Sequence, residues 1–157
     1  MKKIVITVVC LALLFGLCAC SSNKPVSRHL SEEGATTYEV TGTLQVENSD
    51  DKITVIFEND LITGTVTEVA VYAYDGEKLY SENYSITGKT VKMEIEKKAE
   101  WKGKKVYVSV TASPSTGRQP SEVRDAYGRL FQNVTGSNLI WDRTENIIFF
   151  QSEEIEL

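Results

Sequence analysis

The chain has 157 residues, about one domain's worth of sequence, with 17 basic and 22 acidic residues for a net charge of −5, three cysteines and one histidine. A hydrophobic share of 41% and a charged share of 25% belong to a globular protein and exclude a disordered one. The acidic balance excludes a basic nucleic-acid binder, and the few Cys and His exclude a zinc ribbon and a disulfide framework. The first element is an apolar leader. Lys2 and Lys3 are its only charges, and Ile4 to Ala19 is an uncharged run of 16 residues. As a helix this run is about 24 Å long, short of the ~30 Å hydrocarbon core of a bilayer. A positive start, a short apolar centre and a small residue at the end predict an export signal over 1–19.

All three cysteines, Cys10, Cys18 and Cys20, lie in or at the end of this run. Leu17-Cys18-Ala19-Cys20 followed by Ser21-Ser22 resembles the lipobox of bacterial lipoproteins. The resemblance implies that Leu17 and Ala19 are the signal-peptidase recognition positions and that Cys20 is lipidated and becomes the new N-terminus. Cys18 does not fit as the acceptor, because bulky Leu17 would precede it. The implied anchor holds through acyl chains at about 0.8 kcal/mol per buried methylene, without spanning the membrane. The resemblance also implies an extracytoplasmic, membrane-attached protein, at the outer membrane if the source is Gram-negative, since no Asp follows Cys20. Loss of Lys2 and Lys3 with the leader lowers the basic count from 17 to 15 against 22 acidic residues, a net of −7. That charge opposes attraction to anionic lipid or nucleic acid.

Residues 20–36 comprise the cysteine that the resemblance marks for lipidation and a polar stretch that predicts a flexible tether, holding the domain roughly 20–24 Å from the bilayer. The only histidine, His29, lies in it and reads as solvated. From Thr37 the hydrophobic period becomes two, which predicts half-buried strands. Tyr38, Val40, Leu44 and Val46 share one face of the first. Ile53, Val55 and Phe57 share a face of the second, and Val69, Val71 and Ala73 of the third, with Tyr72 and Tyr74 opposite. Asp75-Gly76 predicts a tight hairpin returning through Lys78 to Ile86, with Tyr80 and Tyr84 in phase. Val91, Met93 and Ile95 alternate with Lys92, Glu94 and Glu96. Val106, Val108, Val110 and Ala112 line the sixth strand.

Residues 113–145 break this rhythm. Pro120-Ser121-Glu122 predicts the start of a short helix. Val123, Ala126, Tyr127 and Leu130 follow at helical spacing, and Gly128 ends or weakens the helix. Ile147 to Phe150 predicts a last strand covered on both sides or lying under the preceding loop. The expected domain, 37–157, is thus an all-β antiparallel sandwich of about seven strands with a short helix and loop insertion before the last. No βαβ pattern or Gly-rich phosphate loop occurs. The strand order and spacing look like an immunoglobulin-like or fibronectin type III-like sandwich, and Val106 to Ala112 is similar to the sixth strand of those domains. The chain departs from the type III pattern because Tyr107 falls out of phase with the inward valines and the second strand lacks a Trp.

The sequence points to no catalytic constellation. Its single His lies in the tether, so a Ser-His or Cys-His arrangement has no base. Asp50, Asp51, Glu58 and Asp60 fall in turns and read as solvated carboxylates, without the twelve-residue spacing of a calcium loop. Asn83-Tyr84-Ser85 and Asn133-Val134-Thr135 match a glycosylation pattern, read as chance in a bacterial lipoprotein. No metal or cofactor is expected. The insertion holds Arg118, Arg124, Arg129 and Arg143, four of the five arginines, with Tyr127 and Trp141. Long connections are often functional, and Arg with Tyr and Trp is enriched at binding hot spots. These six residues are the candidate binding set, against a plainer reading in which the aromatic residues fold inward to cover the sandwich edge.

The expected function is a lipid-anchored, non-enzymatic binding domain of the cell envelope, with a protein, peptide or glycan partner. The alternative is a structural or protective lipoprotein, of inhibitor or immunity type, that binds through an exposed sheet face formed by Tyr72, Tyr74, Tyr80 and Tyr84.

Overall fold

The computed structural model describes residues 30–141 and 144–157. Cys20, Leu17 and Ala19, His29 and Arg143 lie outside the described residues. Seven strands of six or more residues build the sandwich. β2 (Gly42–Asn48), β3 (Lys52–Asn59) and β6 (Thr90–Glu96) form one sheet in the order β2-β3-β6. The larger sheet has the order β5-β4-β7-β10-β9, from β4 (Val66–Ala73), β5 (Lys78–Ser85), β7 (Lys105–Ala112), β9 (Leu139–Trp141) and β10 (Asn146–Gln151). β11 (Ile155–Glu156) adds to β7, and β1 (Tyr38–Glu39) pairs with β8 (Val134–Thr135). The first, second and fifth long strands thus share one sheet and the third, sixth and seventh the other, as in immunoglobulin-like sandwiches. The fourth, β5, sits beside β4 in the larger sheet.

The alternation read from the sequence produces the core. Ile53, Val55 and Phe57 of β3, Val69 and Val71 of β4, and Val106 and Val108 of β7 have no measurable exposure, and Val91, Met93 and Ile95 of β6 are also buried. Phe57 and Phe150 meet edge to face across the layers, with ring centroids 4.8 Å apart. Opposite ends of the sandwich are closed by different devices. Trp101, in a short 3₁₀ turn at Ala99–Trp101, is buried at one end. At the other end lies α1 (Ser121–Tyr127), opened by Pro120 and stopped at Gly128, whose φ of +84° favours glycine. Val123 and Tyr127 of α1, then Phe131 and Val134, belong to the core.

Several expectations need correction. The first strand is two pieces. Thr41 donates its N–H (2.7 Å) and hydroxyl (2.8 Å) to the Asp60 carboxylate, and the chain changes partner there. β1 runs parallel to β8, an exception to the antiparallel scheme, with Tyr38↔Val134 and Glu39↔Thr135. The hairpin after β4 exists, but only Gly76 takes positive φ. Bonds from Gly76 N–H to Ala73 O and from Ala73 N–H to Glu77 O make it a three-residue loop closed by glycine. Leu130 lies beyond the helix and is exposed. The last strand is buried on one face only, through Ile148 and Phe150, with Ile147 and Phe149 half-buried on the other.

Tyr127 is the main correction to the candidate binding set. It is 1% exposed. Its ring meets Tyr38 at 5.7 Å and Phe131 at 5.2 Å, both edge to face. Its hydroxyl accepts the N–H of Ile62 at 2.9 Å. It is therefore a core residue that ties α1, β1 and the β3–β4 loop together. Tyr127→Ala is expected to cost about 3–5 kcal/mol of stability, and Arg124→Ala less than about 0.5 kcal/mol. Urea denaturation of both variants checks this; equal effects would show that the insertion is not part of the core.

Candidate functional site

The outer face of the larger sheet follows from strand register. In β4, Glu68, Ala70 and Tyr72 alternate with inward Thr67, Val69 and Val71. Pairing with β7 sets Glu68↔Thr111, Ala70↔Ser109 and Tyr72↔Tyr107 side by side. Pairing of β10 with β7 continues the face to Phe149 and Gln151, and pairing with β9 sets Ile147 beside Ile140. The Tyr72 and Tyr107 rings stack with centroids 5.5 Å apart and planes 17° apart. Both are half-buried, with Ala70 and Ser109 covered among them. Tyr74, in the hairpin loop, is 76% exposed.

A polar cluster continues this face. Lys78 Nζ lies 5.4 Å from the Tyr72 ring centre and 2.8 Å from Glu68 Oε1, which also accepts the Ser81 hydroxyl. The bond from Lys78, then that from Ser81, holds the Glu68 carboxyl below its ordinary value. Beside Glu68 lies a cleft of about 280 Å³ lined by Glu68, Asn83, Ser115, Thr116 and Gly117. Its loop wall is fixed by buried Gln119, whose amide donates to the carbonyls of Val66 (2.7 Å), Ser113 (3.0 Å) and Thr116 (3.1 Å) and accepts the Val66 N–H (3.0 Å). Gly117 lets the loop approach: its φ is +54°, and a Cβ there would stand 2.9 Å from Val66 Cγ1 and 3.3 Å from Asn83 Nδ2. Ser115 donates to Glu145.

The sequence-predicted residues are distributed otherwise. Arg118, Arg124 and Arg129 are exposed, Trp141 is half-buried on β9, and Tyr127 is in the core. The four tyrosines of the expected sheet face are split between two faces. Tyr72 is on the outer face. Tyr80 and Tyr84 stand opposite Val71 and Thr67 and pack against the core. The Tyr80 hydroxyl donates to Glu82 at 2.5 Å, and the Tyr84 hydroxyl lies 2.9 Å from it and 3.2 Å from the same carboxylate, so that its one proton serves either neighbour. Burial, then the bond to Glu82, pushes the Tyr80 phenol well above its ordinary value. The residues missed by sequence reasoning are Tyr107, Glu68, Lys78 and the loop 115–117. The parity of Tyr72 and Tyr107 against their buried valines was the available signal.

A cleft of about 410 Å³ at the end of the sandwich remote from α1 is lined by Lys97, Lys98, Lys102, Asp50, Ala99 and Leu157 and presents no exposed aromatic ring. No group of three or more His, Cys, Asp or Glu able to hold a metal ion occurs among the described residues. No described helix is long and apolar enough to cross a membrane.

The Glu68–Lys78 pair has a defined pH signature. A lowered carboxyl stabilises the fold above its unfolded value, ordinarily 4.5, and that contribution disappears as pH falls through the lower folded value. Lys78→Met is expected to cost about 0.2–1 kcal/mol at neutral pH. The difference from the parent should shrink once Glu68 is protonated. Denaturation curves across this acid range test it, and a pH-independent difference would exclude the ion pair as its source. No known protein family, curated protein or solved structure matches the chain.

Proposed function

We propose that this protein is a lipid-anchored, non-enzymatic binding domain of the bacterial cell envelope, attached at Cys20 outside the cytoplasmic compartment. It meets its partner through the outer face of the larger sheet. The observation that carries this reading is that Tyr72, Tyr74, Tyr107, Phe149 and Ile140 lie on or beside a face that no described element covers. Tyrosines of this kind bring large contact area with few rotatable bonds and a polar tip, which suits a recognition surface. The insertion contributes Tyr127, Phe131 and Val134 to the core, so its role in binding narrows to its exposed arginines. An inhibitor or immunity role, the alternative, would use the same outer face.

Two measurements test the two halves of this proposal. Cys20→Ser should abolish metabolic labelling with a fatty acid and leave unprocessed precursor. Label retained by the variant would reject the anchor. A photo-cross-linking residue at Tyr74 in cells should yield an adduct, while one at Glu47, exposed on the smaller sheet, should not. An idle Tyr74 position, or equal adducts at both, would reject the outer face as the binding surface.

A further inference from the structure

We propose that β6, at the free edge of the smaller sheet, pairs with the same strand of a second copy of this chain. The two three-stranded sheets then continue as one antiparallel sheet about a two-fold axis at Met93. This surface is separate from the outer face of the larger sheet, so the inference goes beyond the reading above.

β6 ends the order β2-β3-β6. It is a regular strand, paired with β3 from Thr90 to Glu96 without a shift, and no Pro or bulge guards its open side. Two bonds that flank this pairing fix the direction of its backbone groups. Asn59 donates its N–H to Lys89 O at 2.7 Å, and Lys97 donates its N–H to Asp51 O at 2.8 Å. Lys89 and Lys97 therefore turn toward β3. Backbone direction alternates along an antiparallel strand, so Val91, Met93 and Ile95 do the same. The N–H and C=O groups of Thr90, Lys92, Glu94 and Glu96 point away from β3. Among the described residues, no backbone bond from another element reaches them. Such a row of open donors and acceptors is a template for a further strand.

Charge then selects the partner and the register. The open groups belong to even-numbered positions, so an antiparallel copy sets even against even. Pairing about Met93 puts Lys92 opposite Glu94 and Thr90 opposite Glu96, with Val91 opposite Ile95. Lys92 meets Glu94 on both sides of the axis, and opposite charges so placed are favourable cross-strand pairs. Pairing about Lys92 or about Glu94 would oppose that residue to itself, and like charges directly opposite are unfavourable. The other edges do not offer this match. β2 carries no basic residue and is tied at Asn48, whose amide donates to Glu156 O at 2.7 Å. The one lysine of β5, Lys78, is taken by Glu68 at 2.8 Å. Pairing of β6 with β2 of a further copy would build an open fibre, whereas self-pairing closes at two. The contact is a modest one. Val91, Met93 and Ile95 are already buried within one copy, and Glu94 already has Lys52 at 3.0 Å and Lys92 at 3.9 Å in its own chain. The axis sends the two entry ends at Tyr38 in opposite directions. Residues 20–36 reach up to roughly 58 Å when extended, which lets both chains attach to one bilayer.

The test follows the mass of the full chain by analytical ultracentrifugation in a density-matched detergent, with micelles in large excess over chain and about 0.15 M salt. The parent should dimerise with a Kd of about 0.1 mM or tighter. Lys92→Glu and Glu94→Lys, both at exposed positions with little risk to folding, should each raise the Kd at least about tenfold, since each reverses both charge pairs. Mixed in equal amounts, the two variants should regain the parental affinity, because each copy supplies the charge that the other lacks. Backbone amide exchange reads the register: the amides of Lys92 and Glu94 should slow as chain concentration rises, ahead of that of Met93, which already bonds β3. A parent Kd weaker than about 0.1 mM would overturn the proposal, as would a dimer indifferent to both reversals or a mixture that fails to recover. Assemblies that grow beyond two copies would also overturn it.

Discussion

Burial of Tyr127 is the interaction on which one whole end of the sandwich depends. Its ring is enclosed by Tyr38 and Phe131, and its hydroxyl takes the N–H of Ile62 from the β3–β4 loop. Three separate stretches of chain are therefore joined at one side chain: the start of the domain, the loop after β3 and the insertion. The β1–β8 pairing follows from this, because Tyr38 can bond the backbone at Asn133 only when the insertion lies across that end. Asn133 reinforces the arrangement by donating its side-chain amide to Ala126 O. Phe131 is held at a φ of +54° within the same cluster, a conformation that buried packing must sustain.

This construction changes where binding is to be sought. A long connection with aromatic and Arg residues resembles a recognition loop by composition, yet here its apolar residues complete the hydrophobic core. Arg118, Arg124 and Arg129 are left exposed on the surface, while Tyr127 is taken into the core. The opposite holds on the larger sheet, where strands bring Tyr72, Tyr107 and Phe149 onto a face turned away from the core. The insertion still shapes this face indirectly. Its opening loop is pinned through Gln119 to Val66, and so walls the polar cleft beside Glu68.

Much of the fold was legible because sheet burial repeats every two residues. Val106 to Ala112 and Val91 to Ile95 are buried as their alternation requires, and the turn residues at Asp75-Gly76 and Pro120 mark real boundaries. The partner of each strand was less legible. Nothing local in Thr37 to Glu47 announces a switch at Thr41, since the cause is the Asp60 carboxylate nineteen residues away. The candidate site was legible in its residue types and not in its grouping. Tyr72, Tyr74, Tyr80 and Tyr84 look alike in the sequence, but register divides them.

By itself the sequence determined the positions of the seven long strands, the short helix, the inward faces of β3, β4, β6 and β7 and the lipobox-like run ending at Cys20. These depend on residues near one another along the chain. The tertiary structure alone decided which strands are neighbours, which face each tyrosine occupies and that the insertion enters the core. Side-chain parity is a property of one strand. Assignment of a face also needs the pairing between strands: Val71↔Tyr80 sets Tyr80 inward, and a shift at Val71/Tyr72 then brings Lys78 opposite Tyr72, which stacks on Tyr107.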